Sequence, residues 1–306
     1  MKTFEAKVVE SGETSIFVRI SGSGPPVLLL HGFPQSHLMW RDVAPRMAED
    51  LTVVCADLRG YGRSGCPVSA PDHTPYAKRA MALDMVKVMA LLGFPRFGVA
   101  GHDRGGRVAY RMALDHPERV DRVAVLDVLP TAPVWERFDA RAALAFWPWS
   151  LLAQPEPLPE RILGASPDAV IDNALDAWGS PATTFPPELR TAYIDALRDP
   201  AHVHAICEEY RAAATCDREH DDADRAAGRR IAAPLLALWS VSGGLESWYG
   251  TEGGPLAIWG AWCNDVRGGA VDGGHFFPEE HPGLTADALR EFFTTPLSHD
   301  GSTAAS

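Results

Sequence analysis

The apolar run Phe97–Ala100 passes into a helical pattern reaching His116 through the single segment Gly101-His102-Asp103-Arg104-Gly105-Gly106. Glycines at this density permit a sharp strand-to-helix turn and let the helix pack closely on its strand. The segment has the frame G-x-S-x-G with Asp at its centre, which leaves the Asp103 side chain exposed above the end of a strand. A carboxylate there sits at a helix N-terminus, whose dipole favours the anion and lowers its pKa. An ionised carboxylate is a nucleophile that needs no base to deprotonate it. The competing reading is an ordinary capping Asp in a tight turn.

The turn is one beat of a longer rhythm. Ala6–Glu10 and Ser15–Ile20 alternate as an antiparallel pair at a sheet edge. Val27–Leu30, Leu51–Ala56, Phe97–Ala100, Val120–Leu126, Leu235–Trp239 and Ala270–Val271 are short buried runs. Helical patterns around Trp40–Ala48, Tyr76–Leu92 and Thr285–Phe293 stand between and after them. Short apolar strands alternating with helices predict an α/β fold, a mostly parallel sheet covered on both faces. From 131 to 233 the pattern is helical, with Pro-rich joints and no clear strand, which predicts a lid inserted over the C-terminal edge of the sheet. The core domain is then 1–130 with 234–295, the helical cap 131–233, and 296–306 a disordered tail.

The 306 residues are about two domain-equivalents, and 46% hydrophobic residues suffice for a large core. A formal charge of −12 repels phosphate backbones and anionic lipid, which argues against nucleic-acid and membrane partners. The cysteines Cys55, Cys66, Cys207, Cys216 and Cys263 are scattered, with neither a disulfide framework nor a zinc pattern. The first residues lack the apolar stretch of a signal peptide, and no apolar run approaches the ~18 residues that span a bilayer. The expectation is a reduced, soluble, cytoplasmic protein.

An Asp nucleophile implies displacement at a saturated carbon, giving an alkyl ester on the enzyme, and a His to activate the water that hydrolyses it. His275, in Asp272-Gly273-Gly274-His275-Phe276-Phe277 after the last strand, has the chain position this architecture requires. The orienting acid has two places. Nothing acidic follows Leu235–Trp239 before Glu246, whereas Val120–Leu126 is followed at once by Asp127, which is preferred. Backbone N–H groups of Phe33 and Arg104 are placed to form the oxyanion hole. Arg104 and Arg107 share a helix face and suit a substrate carboxylate, against the plainer reading of a salt bridge to the lid.

From about Val27 to Phe293 the chain resembles the α/β-hydrolase fold, on the landmarks His31-Gly32-Phe33-Pro34, Gly101-His102-Asp103-Arg104-Gly105-Gly106-Arg107 and Gly274-His275-Phe276. Within it the chain is most similar to the fluoroacetate (haloacetate) dehalogenases, close kin of epoxide hydrolases. Leu151–Glu160 and Glu209-Tyr210-Arg211-Ala212 resemble the lid of that subgroup. The resemblance implies Asp103 as nucleophile, Asp127 and His275 as the hydrolytic pair, and Arg104 and Arg107 on the substrate carboxylate, with no cofactor and no metal. It also implies a lid His-Trp pair and a lid Tyr around the departing fluoride. Here the pair reads Pro148-Trp149 and the Tyr position is assigned to Thr215, which predicts weak defluorination.

The leading expectation is a haloacetate dehalogenase. An epoxide hydrolase using the same residues, with Tyr193 or Tyr210 as proton donor, is the alternative, and a non-catalytic ligand-binding relative is third. The expected partner is a small carboxylate-bearing substrate, with a homodimer left open.

Overall fold

The computed structural model describes residues 1 and 3–296; all of the expected disordered tail except its first residue lies outside them. Eight strands form one sheet: β1 (Glu5–Glu10), β2 (Ser15–Ser21), β3 (Pro26–Leu30), β4 (Thr52–Ala56), β5 (Phe97–His102), β6 (Val120–Leu126), β7 (Leu235–Ser240) and β8 (Val266–Val271). Their order is β1-β2-β4-β3-β5-β6-β7-β8. β2 runs antiparallel to both neighbours, and the pairs from β4 to β8 are parallel. The edge pair and the parallel sheet both follow the sequence reading.

The central strands read as unbroken apolar runs because both faces are covered. Leu28 and Leu30 of β3 face one core and Val27 and Leu29 the other, as do Val123 and Val125 against Ala124 and Leu126 of β6. The helices Lys78–Leu91 and Arg104–Asp115 fill the first side, through Met81, Met85, Val108 and Met112. Ala44–Met47 and Pro282–Thr294 fill the second.

Two expected elements differ in detail. The helix around Trp40–Ala48 is a 3-10 turn at His37–Trp40 followed by Ala44–Met47, a restart in which Pro45 occupies the first turn. The helix expected from Tyr76 begins at Lys78, after a separate turn at Thr74–Tyr76. Between β6 and β7 the structure holds helices and no strand, from Thr131–Glu136 to Cys216–Ala226. Pro155, Pro157 and Pro186 lie in joints between helices, and Pro148, Pro159, Pro167, Pro187 and Pro200 each lie in a first turn. The helices Gly244–Trp248 and Gly254–Gly260 between β7 and β8 had no clear sequence signal. Among the described residues no helix is long and apolar enough to cross a membrane.

The strand-to-helix turn after β5 rests on two close backbone approaches. A Cβ at Gly101 would meet the Gly105 carbonyl oxygen at 2.2 Å, and one at Gly105 would meet the carbonyl oxygens of Leu30 and His31 at 2.5 Å. Gly105→Ala must therefore push its helix off β3. A loss of about 1–3 kcal/mol is expected, as for other overpacked interiors, read as a lower urea midpoint at unchanged slope.

Candidate active site

Asp103 and Asp127, each directly after a parallel strand, have positive φ angles of 46° and 50°. Such backbone is uncommon outside glycine and costs about 1–3 kcal/mol per residue. Both are held in it by the sheet: the Asp103 N–H donates to the Leu126 carbonyl at 3.1 Å, and the Asp127 N–H to that of Leu238 at 2.8 Å. The two carboxylates thus stand side by side above the C-terminal ends of β5 and β6.

Asp127 divides its oxygens. Oδ2 lies 2.6 Å from His275 Nδ1, and Oδ1 accepts from the Ser240 N–H at 2.9 Å. Burial alone would lower the His275 pKa, but the hydrogen bond and charge of Asp127 outweigh it and raise it above the ordinary histidine value. The lid fixes the His275 loop from the other side. The His275 N–H donates to the Trp178 carbonyl at 2.9 Å, and the Trp178 ring stands edge-on to the imidazole at 5.3 Å. Ser180 receives the Phe276 N–H at 3.2 Å and donates to Glu280, which also accepts from Gly274 N–H at 2.8 Å.

Asp103 caps the helix Arg104–Asp115 and accepts the Phe33 N–H on Oδ2 at 3.0 Å. Burial pushes its pKa up, yet His275, Arg104, His102 and Arg107 together hold it below the usual carboxylate value. The carboxylate is therefore ionised at neutral pH. The Arg104 N–H is the first of its helix, where amides have no intrahelical acceptor. The Phe33 N–H thus reaches Asp103, and the Arg104 N–H lies next to it in the chain at the start of the helix.

A cavity of about 260 Å³ opens over these groups. Asp103, Asp127, His275 and Arg107 line it, with Trp149, Pro148 and Tyr210 from the lid. Arg107 donates to the Leu129 carbonyl and lies 4.5 Å from the centre of the Trp149 ring, a cation–π contact. Its buried Nε has no hydrogen-bond partner among the described residues.

Two residues are placed differently from expectation. Arg104 does not line the cavity: its guanidinium sits 4.0 Å from the centre of the Tyr210 ring and donates through Nε to Glu209 at 2.8 Å. Thr215 is not in the cavity at all. Its hydroxyl bonds the Arg211 carbonyl at 2.7 Å and faces a separate crevice with His73, Glu208 and Arg211. Tyr210, on the helix Pro200–Ala214, lines the cavity instead. Among the described residues, neither the Tyr210 hydroxyl nor the Trp149 indole N–H has a hydrogen-bond partner in the protein.

Sequence reasoning missed Trp178, Ser180, Glu209, Ser240 and Glu280 as supports of the site. Only Glu209 carried a usable signal, a charge that helical spacing places on the buried side of its helix with Tyr210.

Comparison with known proteins agrees with this fold. A family model described as the alpha/beta hydrolase fold matches residues 25–169. The chain is 45% identical over 296 residues to a fluoroacetate dehalogenase of Burkholderia sp, covering 96% of this chain and 95% of the other. It is 33% identical over 286 residues to a soluble epoxide hydrolase of Corynebacterium sp. (strain C12), covering 89% and 91%. A solved structure assigned to the α/β hydrolases, from Nostoc sp PCC 7120, superposes with a TM-score of 0.92 at 44% identity, over 96% of this chain and 99% of that one. With the sheet order, the turn at Asp103 and the helical insertion already in place, the chain belongs to the α/β-hydrolase fold family, as a hydrolase of the group that holds fluoroacetate dehalogenases and epoxide hydrolases.

Proposed function

We propose that this hydrolase displaces halide from 2-halo carboxylates, haloacetates foremost, through an ester on Asp103. One observation carries the reading: a single cavity is lined by an ionised carboxylate, a guanidinium with an unpartnered nitrogen and a histidine hydrogen-bonded to a second carboxylate. Arg107 offers a charged donor to the substrate carboxylate and offsets its repulsion from Asp103. The 45% identity to a fluoroacetate dehalogenase supports the same substrate class.

In the first step an Asp103 oxygen attacks the halogen-bearing carbon. The carbon–halogen bond breaks and the halide leaves with the bonding pair. In the second, His275 takes a proton from water as that water attacks the Asp103 carboxyl carbon, and the oxyanion formed meets the N–H groups of Phe33 and Arg104. Collapse expels the substrate oxygen, which takes the proton from His275 and departs as a hydroxy acid. Asp103 reionises carrying one oxygen from the water. The sum is halo acid plus water giving hydroxy acid, halide and a proton.

Epoxide opening is the second reading, and Tyr210 favours it. Ring opening leaves an alkoxide that needs a proton donor, and an unengaged hydroxyl stands in the cavity with Asp103. Tyr193 does not line the cavity; its hydroxyl faces Glu279 at 3.5 Å.

In a His275→Ala variant the ester should form and persist. Intact-protein mass spectrometry after chloroacetate should then show a carboxymethyl mass on the peptide holding Asp103. Chloride release with unmodified protein would rule out the covalent route, and labelling by small epoxides alone would select the second reading.

His275 acts as a base only when neutral, so hydrolysis should rise with pH through its pKa, which the structure sets above the ordinary histidine value. Asp127→Asn removes the group that raises that pKa. The rising limb should move to lower pH while the rate falls about 10²–10⁴-fold, the contribution typical of a positioned acid–base group. A limb that stays in place would assign it to another group.

Tyr210 supplies the lid hydroxyl in place of Thr215, which leaves Pro148 as the single missing halide donor. Chloroacetate should still outrun fluoroacetate, since one lost donor at a developing anion costs about 10²–10³ in rate. Halide release measured on matched substrates should show the gap narrowing in Pro148→His.

A further inference from the structure

Arg104 follows Asp103 directly in the chain, and its side chain is fully buried. A desolvated guanidinium is costly to leave unpaired, and two carboxylates act on this one, Glu209 and Asp103. The structure pairs Arg104 with Glu209, through Nε at 2.8 Å and Nη2 on the Glu209 carbonyl at 3.3 Å, while Nη1 has no hydrogen-bond partner among the described residues. Neither Arg104 nor Arg107 forms an ion pair with Asp103, whose side-chain hydrogen bonding among the described residues is limited to the Phe33 N–H on Oδ2. The other oxygen of Asp103 is left unengaged.

Glu209 is fixed for this task by three donors from the core. Besides Arg104, Lys78 Nζ lies 2.7 Å from its Oε1, and the Tyr61 hydroxyl donates to Oε2. Burial would raise the Glu209 pKa, but Arg104 and Lys78 overcome it and hold it at about 2. Lys78 also has Asp217 at 3.5 Å, so it keeps an anionic partner if Glu209 is neutralised, whereas Arg104 keeps the Tyr210 ring and, as its remaining carboxylate, Asp103.

We propose that Glu209, on the lid helix Pro200–Ala214, is a positioning residue that holds the Arg104 guanidinium away from Asp103 and so keeps the Asp103 carboxylate free to attack. The proposal rests on the reading of Asp103 as the nucleophile. Without the Glu209 charge, Arg104 closes onto Asp103 and occupies the oxygen that must reach carbon. The loss would then arise from Arg104 itself, so removing Arg104 as well should relieve it. A merely structural salt bridge also couples the two deletions, because one buried charge left alone is costly, but its losses fall on the urea midpoint and leave the labelling rate of the folded protein unchanged.

The test is the rate at which Asp103 is alkylated by chloroacetamide, a neutral reagent that does not need a carboxylate-binding arginine. It is followed by mass on the peptide holding Asp103 in a His275→Ala background, where the ester persists, because the reagent also alkylates thiols such as the partly exposed Cys66. Glu209→Gln should slow labelling by about tenfold or more, within the range of coupling between contacting charged groups. Adding Arg104→Met to Glu209→Gln should bring the rate back to that of Arg104→Met alone. Labelling of Glu209→Gln at the parent rate, or a double variant showing the product of both single losses, would overturn the proposal. If Glu209→Gln does not fold, Glu209→Asp serves in its place: the shorter arm should slow labelling in part, and Arg104→Met should again relieve the loss. An Asp variant that labels at full rate overturns the proposal. A His275→Ala parent that labels with no alkyl halide or epoxide overturns instead the reading of Asp103, and this proposal falls with it.

Discussion

The chemistry of this protein depends on how closely the helix Arg104–Asp115 approaches the strands beneath it. Gly105 stands so near the carbonyls of Leu30 and His31, and Gly101 so near the backbone of Gly105, that neither position has room for a Cβ. That approach forces the chain to reverse within one residue, and the residue is Asp103, at φ 46°. The same contact brings the loop after β3 alongside, so that the Phe33 N–H reaches the Asp103 carboxylate at 3.0 Å. One steric constraint therefore sets the position of the carboxylate, its backbone donor and the start of the helix whose first turns carry Arg104 and Arg107.

Charge is then distributed so that Asp103 remains ionised without being tied up. Buried cations surround it, yet each has another partner: Arg104 has Glu209, Arg107 has the Leu129 carbonyl and the Trp149 ring, and His275 has Asp127. Their field stabilises the anion from a distance, while no guanidinium blocks it by an ion pair. A buried charge with a single partner is costly to leave unpaired, which makes these pairings stiff and well suited to hold geometry.

The helical insertion does more than cover the cavity. Trp178 and Ser180 fasten the loop that carries His275, Tyr210 and Trp149 supply unengaged donors, and Glu209 reaches into the core between Lys78 and Arg104. Displacing these helices would loosen the His275 loop, the two donors and an arginine together, so the cavity is complete only with both parts assembled.

Much of this was legible in the sequence. The parallel sheet, its antiparallel edge pair and the helical insertion follow from patterns that local chemistry enforces, because apolar runs buried on both faces and glycines in tight turns leave a direct trace in residue order. Asp103 and Asp127, each directly after a strand, and His275, in the loop that follows the last strand, were legible for the same reason. The sequence by itself could not rank the lid residues. Thr215 and Tyr210 are five positions apart near one helix end, and which of them faces Asp103 depends on the packing of that helix against the core. Nor could it show that Arg104 is shared with Glu209 rather than opened to the cavity. Such assignments arise from contacts between segments about a hundred residues apart in the chain, where no local periodicity records the partner, and only the tertiary structure decided them.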